Sequence, residues 1–338
     1  MKVKQKKVSE QVIVITGASS GIGLATALMA ADRGARVVLN SRDEADLDQA
    51  VERIRTAGGQ AIRVAGDVAD PEAMRRLAET AVAQFGGFDT WVNNAGTSIY
   101  GAIEQVSLED ARRLFETNYW GVVNGTLAAL PQLKQRGGTL INIGSILSDT
   151  GYPLQGHYTA SKHAVKGFTD SLRIELEKVG APVVVTLIQP AAIDTPYPEH
   201  AKSYLEVEPT HQPPVYEPDV VAQAVLTSAQ QPERNVLVGG GAKLFNTTER
   251  YAPRLGDRFK EATAFQGQRS DRPPRNEDTL HAPRPGDAAV RGRYEGHVMG
   301  SSAYTSAKLN PERTLLGLAV AGAAVVLLDR AGVFGRKR

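Results

Sequence analysis

The sequence contains no cysteine among its 338 residues. Disulfides, thiolate metal sites and a cysteine nucleophile are therefore excluded, and the absence is compatible with a reducing compartment such as the cytoplasm. The sequence also has almost no excess of either charge, because 39 basic and 37 acidic residues leave a net charge of +2. The composition gives no general attraction to nucleic acid, and we expect no nucleic-acid partner.

Long apolar runs are scarce. After the basic start MKVKQKKVSE, about five apolar residues precede the first glycine, whereas a secretory signal needs roughly 7 to 15, so we expect no signal peptide. An uninterrupted apolar run of about 15 residues occurs at 314–328. As a helix it would extend some 22 Å, which is less than the roughly 30 Å of a bilayer core.

Short apolar runs alternate with longer amphipathic stretches over most of the chain. The runs predicted as strands lie at 11–17, 35–41, 60–68, 88–96, 138–145, 181–190 and 234–240. The stretches predicted as helices lie at 21–33, 43–57, 71–85, 107–133, 158–179 and 218–230. Most of the strands are β-branched and several are apolar on both faces, as buried parallel strands are. The pattern predicts an α/β fold with a doubly wound parallel sheet of about seven strands.

Composition divides the chain into five segments. We expect a flexible basic arm at 1–10, a Rossmann-fold catalytic domain at 11–245 and an accessory helix at 246–268. Residues 269–313 are rich in Pro, Gly and Arg and poor in aliphatic residues, which predicts an extended linker. Residues 314–338 are predicted to form an apolar C-terminal helix with a basic end, GRKR.

Two interpretations of this C-terminal helix remain open. Small residues four apart suit close helix–helix contact, so the helix could be buried against a partner subunit. Alternatively, it associates with a membrane, with the basic end at an anionic cytoplasmic leaflet and residues 314–335 making the contact.

The first predicted strand leads directly into TGASSGIG, which opens a predicted helix. Gly17, Gly21 and Gly23 have the spacing G-x-x-x-G-x-G. Glycines at such a turn allow the backbone to approach a pyrophosphate closely, and the helix N-terminus then binds it. The motif therefore predicts a dinucleotide site.

Five motifs in this order resemble the short-chain dehydrogenase/reductase family. They are TGASSGIG at 16–23, NNAG at 93–96, Asn118 in FETNYWG, Ser145 in INIGSILS and YTASK at 158–162. The resemblance covers roughly residues 10 to 240. It implies a Rossmann-like fold and the catalytic set Asn118, Ser145, Tyr158 and Lys162.

The resemblance also implies a role for each catalytic residue. Tyr158 exchanges a proton with the substrate oxygen, and Lys162, one helical turn later, favours its phenolate and holds the nicotinamide ribose. Acid–base work near neutral pH needs the phenol pKa to fall by about 2 to 3 units. Ser145 donates a hydrogen bond to the substrate oxygen, with Ser148 as the alternative, and Asn118 holds a water that leads to solvent.

The choice of cofactor is predicted from the end of the second strand. An acidic residue there would favour NAD, but the sequence is LNSRDE, with Ser41 and Arg42 following the strand. The family's NADP-preferring members carry a basic residue at the position of Arg42, whose guanidinium can clamp a phosphate. NADP is therefore expected and NAD is the alternative. A surface arginine paired with Asp43 and Glu44 is the competing interpretation.

Further cofactor contacts are implied by the same resemblance. They are Ser19, Ser20 and Ile22 in the first loop, Asp67 and Val68 after the third strand, Asn94, Ala95 and Gly96 after the fourth, and Pro190, Ile193 and Thr195 after the sixth. The family's glycine in this last loop is Ala191 here. Residues 196–217 lie where the family has its variable lid, and their tyrosines and prolines predict a bulky, apolar substrate pocket.

These predictions give an NADP-dependent oxidoreductase that interconverts a carbonyl and an alcohol, with no metal. The rival hypothesis is a nucleotide-binding regulator or scaffold with vestigial catalysis. The resemblance further implies a homodimer or homotetramer, built on the helices of residues 107–133 and 158–179. The expected location is cytoplasmic, with membrane association depending on the C-terminal helix.

Overall fold

The computed structural model describes residues 5–241, 247–248, 251–275, 277–284, 286, 288–309 and 314. Its strands are β1 Val12–Thr16, β2 Arg36–Ser41, β3 Gln60–Ala65, β4 Thr90–Asn93, β5 Ile99–Tyr100, β6 Gly138–Ile143, β7 Val183–Pro190, β8 Ala192–Ile193, β9 Lys202–Ser203, β10 Val215–Tyr216, β11 Asn235–Val238 and β12 Val298–Met299. Its helices are α1 Gly21–Asp32, α2 Glu44–Thr56, α3 Pro71–Phe85, α4 Leu108–Phe115, α5 Gly121–Arg136, α6 Gly156–Lys178, α7 Tyr197–His200, α8 Pro218–Gln230, α9 Pro253–Gly267 and α10 Ala303–Leu309.

Seven parallel strands form the central sheet, in the order β11-β7-β6-β4-β1-β2-β3. The strands are buried because their β-branched residues alternate between two apolar layers. Ile13 and Ile15 of β1 pack into one layer with α1 and α8, whereas Val12 and Val14 pack into the other with α3 and α5. The predicted fold class, a doubly wound parallel sheet of seven strands, is confirmed.

The strand order reverses between β1 and β4, so their carboxyl ends leave a crevice between the two halves of the sheet. In sheets of this kind, ligands bind in that crevice. Asn93 joins β4 to its neighbour β6, because its Nδ2 donates to Asn142 Oδ1 at 2.9 Å. The loops that follow Thr16, Asn93 and Ile143 begin at this carboxyl edge of the sheet.

The helix predicted for 107–133 is divided in the structure. A π-helical turn, Glu116–Trp120, separates α4 from α5, and Asn118 lies within it. Such turns widen a helix locally and are frequent at functional sites.

The basic arm differs from the flexible segment that the sequence predicts. Its described part, residues 5–10, packs on the domain, because Val8 is buried and Lys6 Nζ forms an ion pair with Asp89 at 2.6 Å. Hydrogen bonds from Val8 N to Gln230 Oε1 and from Gln11 Nε2 to Lys6 O also hold the segment, and composition does not reveal these contacts.

The expected linker also differs from the prediction. Within 269–309, β12 pairs with β10, and α10 packs on β11 and α8. Leu280 is fully buried. These residues dock on the catalytic domain although they carry little apolar surface, because their contacts are mainly backbone hydrogen bonds and ion pairs. Helix α9 lies in the segment expected to hold an accessory helix.

The apolar run 314–328 lies outside the described residues, apart from Thr314. Among the described residues, no helix is long and apolar enough to cross a bilayer.

Candidate active site

Tyr158, Lys162 and Ser145 line one cavity of about 660 Å³ at the carboxyl edge of the sheet. Ser145 follows β6, and Tyr158 and Lys162 lie on one face of the first turns of α6. All three residues are buried. The Lys162 ammonium lies 5.7 Å from the centroid of the Tyr158 ring, so it is placed to act on the phenol electrostatically.

The burial of Tyr158 changes its expected titration. Burial raises the pKa of Tyr158, while hydrogen bonds with Tyr197 and Ser145 oppose the rise. The expectation that this pKa falls toward neutrality is therefore not met by these residues, because burial disfavours the phenolate more than its neighbours stabilise it. Tyr158 is a protonated phenol at neutral pH.

Burial removes water from the Lys162 ammonium and disfavours its charged form. Its Nζ donates to Ile143 O at 2.9 Å, and burial lowers the pKa of Lys162 to about 8. The residue is thus a cation at neutral pH and loses its charge in mildly alkaline solution. The electrostatic stabilisation that Lys162 gives to the Tyr158 phenolate is therefore lost as the pH rises through about 8.

Ser145 and Ser148 have different roles in the structure. The Ser145 Oγ accepts from Leu147 N at 3.1 Å and lines the cavity. The Ser148 Oγ instead accepts from Ser145 N at 3.1 Å, and Ser148 is not part of the cavity lining. Ser145 is therefore the serine that can contact a substrate.

The Asn118 side chain forms its hydrogen bonds with other residues of the protein. Its Nδ2 donates to Thr97 O at 2.9 Å and to Ser161 Oγ at 3.1 Å, and its Oδ1 accepts from Thr97 N at 2.8 Å. With both amide donors used, the side chain joins the loop after β4 to α6. Gly96 lies beside both side chains, because a Cβ placed on it would be 3.4 Å from Asn118 Oδ1 and 3.7 Å from Lys162 Nζ.

A second cavity, of about 200 Å³, adjoins the first along the carboxyl edge of β1, β2 and β3. Its lining contains most of the residues expected to bind a dinucleotide: Gly17, Ser19, Ser20, Gly21, Ile22, Ser41, Arg42, Asp67, Val68, Asn94, Ala95, Gly96 and Thr195. The larger cavity is lined by Pro190 and Ile193, with Ile22, Asn94, Gly96 and Thr195 common to both. The expected cofactor residues are thus brought together in one continuous groove.

The floor of this groove fits a dinucleotide. Gly17 and Gly21 have positive φ angles of 62° and 52°, which favour glycine. A Cβ on Gly23 would lie 2.1 Å from Gly17 O, so the turn closes only around a glycine there. Asn94 holds the turn from the neighbouring strand, because its Nδ2 donates to Thr16 O at 2.9 Å and Gly17 O at 3.0 Å.

Near the ends of β2 and β3 the groove is lined by Arg42 and three acids, Asp43, Asp46 and Asp67. Arg42 Nη1 donates to Leu280 O at 3.2 Å, and Arg113 Nε donates to the same oxygen at 3.0 Å. Arg113 also forms an ion pair with Asp67. Burial lowers the pKa of Arg42, with Asp67 opposing and Arg113 adding to the effect. A guanidinium stays charged in proteins, so Arg42 remains a cation. Arg42 pairs with neither Asp43 nor Glu44 in the described contacts.

Aromatic residues form much of the substrate end of the large cavity. Tyr197, from the expected lid, lies edge-to-face with Tyr158 at 5.6 Å between ring centroids. His211 stacks on Tyr197 at 6.3 Å, and burial lowers the pKa of His211 to about 4, so it is neutral near pH 7. Leu255 and Phe259 of α9 complete the mouth. The sequence analysis assigned no role to His211 or to α9, since neither lies in a motif.

Comparisons with known proteins agree with this geometry. Residues 11–204 match the family model for short chain dehydrogenase. The chain is 46% identical over 319 residues to the uncharacterized oxidoreductase YxnA of Bacillus subtilis, covering 92% of this chain and 88% of the relative. It is 33% identical over 249 residues to the putative oxidoreductase SadH of Mycobacterium tuberculosis, covering 71% and 90%.

Two solved structures are similar in fold. A short-chain dehydrogenase/reductase from Burkholderia phymatum in complex with NAD superposes with a TM-score of 0.67 at 27% identity, covering 75% of this chain and 96% of that one. An alcohol dehydrogenase from the archaeon Thermococcus sibiricus, complexed with 5-hydroxy-NADP, superposes with a TM-score of 0.60 at 26% identity, covering 68% and 95%.

Proposed function

The chain belongs to the short-chain dehydrogenase/reductase family and is an oxidoreductase of that type, and from this premise we propose that it interconverts a carbonyl and an alcohol with NADP. The observation that carries the proposal is the convergence of Tyr158, Ser145 and Lys162 on one cavity that continues into the dinucleotide groove. When bound, the nicotinamide supplies or accepts the hydride.

Tyr158 is the proposed general acid and base. Its raised pKa keeps the phenol protonated near neutral pH, so it gives its proton to the carbonyl oxygen during reduction. In the oxidation direction the phenolate, which forms at higher pH, takes the proton of the alcohol. Ser145 supports the same oxygen. Because its Oγ already accepts from Leu147 N, its own proton is available to donate to substrate.

Lys162 adjusts the phenol during the proton transfer. Its ammonium favours the phenolate as the proton leaves, and the low dielectric of a buried site strengthens this effect. The proposed contact with the nicotinamide ribose is compatible with its place in the larger cavity beside Gly96. Asn118 is proposed as a positioning residue that fixes α6 relative to the loop after β4.

The proposed preference for NADP depends on Arg42. The similar structures include complexes with both NAD and an NADP derivative, so the preference has to come from this chain's own residues. Arg42 lies in the groove next to Ser41, and the carboxylate of Asp67 in the same lining is paired with Arg113. Asp43 and Asp46 also line the groove, where they accept from the backbone N–H groups of Asp46 and Gly286, and the Arg42 guanidinium is the group there that suits a 2′-phosphate.

The proposed substrate is a bulky, largely apolar carbonyl or alcohol. The cavity volume of about 660 Å³ lies within the roughly 300 to 1,000 Å³ of small-molecule sites. Tyrosine, leucine and phenylalanine side chains line it beyond Tyr158.

We also propose a homo-oligomer. Trp120 next to α5, Leu127 on α5 and Ile174 on α6 are large apolar side chains exposed in the monomer. Exposed apolar patches on a soluble domain are typical of interaction sites. Membrane association through residues 314–335 stays a prediction from the sequence.

A panel of carbonyls and alcohols of increasing size, assayed by nicotinamide absorbance with NADPH and NADH, tests the proposal. Tyr158→Phe retains the ring but removes the proton, and turnover should fall by about 10² to 10⁴. Tyr152→Phe, another tyrosine of the same cavity, is the control and should change turnover only a few-fold. Near-normal turnover by Tyr158→Phe on the best substrate would refute the mechanism.

A further inference from the structure

Helix α9 forms one wall at the mouth of the large cavity. Leu255, Gly256 and Phe259 line the same cavity of about 660 Å³ as the catalytic residues. The helix lies beyond residues 11–204, which match the family model, so its place in the site belongs to the C-terminal extension of this chain. A substrate held at Tyr158 therefore shares its cavity with this helix.

The helix buries small and polar residues and exposes large apolar ones. Its buried positions are Gly256, Lys260 and Ala264, which recur every four residues along one face. Leu255 and Phe259 are 63% and 57% exposed. An amphipathic helix that serves only the fold has the reverse arrangement, with its large apolar side chains in the core. The apolar side chains of α9 therefore do not attach the helix to the domain, and they are available to a ligand.

Polar bonds attach α9 to the loop between β6 and α6. Lys260 Nζ donates to Gly151 O at 3.1 Å. Directly after the helix, Gln268 Nε2 donates to Pro153 O at 3.0 Å. Because this loop has catalytic residues at its two ends, these bonds fix the position of α9 relative to the place of the reaction.

Leu255 and Phe259 form one apolar surface that continues the cavity outward. The two side chains are four residues apart and so lie on the same face of α9. Each lines the cavity yet remains more than half exposed, so the cavity is open to solvent along this face. Exposed apolar surface of this kind is typical of a ligand-binding groove. A ligand that fills the cavity and covers this surface removes both side chains from water.

We infer that the substrate carries an apolar tail that extends from the reacting carbonyl through the cavity to Leu255 and Phe259, and that these two residues set the preference for a long tail. The inference deepens the proposed function and rests on it. The continuity of the α9 surface with the catalytic cavity identifies the occupant, because the two are parts of one cavity and Tyr158 holds the other end of the same molecule. Each methylene group that moves from water onto such a surface favours binding by about three- to fourfold.

Straight-chain aldehydes from butanal to dodecanal, reduced with NADPH, test the inference as a series. The value of kcat/KM should increase by about three- to fourfold with each added methylene over the part of the series whose tail reaches α9. In Phe259→Ser, the ratio of kcat/KM for dodecanal to that for butanal should fall at least about fivefold, because the variant lacks apolar surface that the tail covers. Phe265→Ser removes a phenylalanine of the same helix that is 44% exposed and lines neither cavity, and this control should keep the wild-type ratio.

A ratio that is unchanged in Phe259→Ser, or that falls equally in Phe265→Ser, would overturn the inference. A second copy of the chain covering this face would also overturn it, and would appear as a lower oligomer mass of Phe259→Ser in light scattering together with an unchanged ratio. Failure of every aldehyde and its alcohol with both NADPH and NADH would instead contradict the proposed function, so the two failures are distinguishable.

Discussion

Replacing Lys162 with methionine should stabilise the protein at neutral pH and remove its activity. Burial lowers the pKa of Lys162 from 10.5 to about 8. The difference of 2.5 units, at 1.36 kcal/mol per unit, corresponds to about 3.4 kcal/mol of unfolding free energy that is lost when the lysine is charged. The loss is complete below pH 8, where the folded protein must hold the buried ammonium.

The direction of the pH dependence follows from proton binding. The folded pKa lies below the unfolded one, so between about pH 8 and 10.5 the unfolded chain binds more protons than the folded protein. The contribution of Lys162 to stability therefore rises with pH through this window. Lys162→Met has no such contribution, although it also loses the hydrogen bond to Ile143 O, which is worth about 1.5 to 3 kcal/mol when the donor is charged. At pH 7 the net gain of the variant is therefore only about 1 kcal/mol.

Urea unfolding at pH 7 and pH 10 tests this reasoning through the difference between the two proteins. Relative to that of Lys162→Met, the free energy of unfolding of the wild type should increase by about 2 to 3 kcal/mol from pH 7 to pH 10. Lys166→Met, one turn later on α6, removes a lysine that pairs with Asp149 near the surface and is the control. An unchanged difference at the two pH values, or the same change in the control, would refute the desolvation argument.

Four further outcomes are expected. Arg42→Ala should weaken NADPH binding by about 10- to 100-fold and leave NADH binding nearly unchanged, as measured by fluorescence titration; equal losses would contradict the phosphate clamp. Alcohol oxidation should increase with pH well into the alkaline range, because burial raises the pKa of Tyr158, and a plateau below pH 7 would contradict this. Leu127→Glu should lower the oligomer mass measured by light scattering, and an unchanged mass would exclude α5 as the interface. The full chain should sediment with membranes, resisting salt but not detergent, whereas a chain ending at residue 309 should remain in the supernatant; a full chain that stays there without detergent would favour the helix buried against a partner.

The fold and the position of the catalytic residues could be predicted because each has a local signal. Short β-branched runs between amphipathic stretches have few alternatives to a parallel sheet. Loops that follow parallel strands meet at one edge, so Ser145 and the residues after β4 had to lie near the glycine turn. The spacing of four between Tyr158 and Lys162 places both on one helical face.

The titration of Tyr158 could not be predicted in the same way. A lysine one turn away indicates a lowered phenol pKa, and the sequence contains no comparable sign of how deeply the phenol is buried. In the structure the desolvation of Tyr158 is the largest influence, and Lys162 is itself weakened as a cation by burial. The sign of the shift depends on three-dimensional packing that spacing does not specify.

The docking of residues 277–284, 286 and 288–293 on the groove escaped prediction for a different physical reason. Its contacts with the groove use the carbonyls of Leu280 and Ala289 and the amide of Gly286, and every residue type has these groups. Such contacts leave no periodic pattern, so a segment rich in proline, glycine and arginine is typical of a linker by composition. Whether such a segment is an extended linker or packs on the domain is decided by the surface it crosses, and here that surface is the groove at the carboxyl ends of β1, β2 and β3.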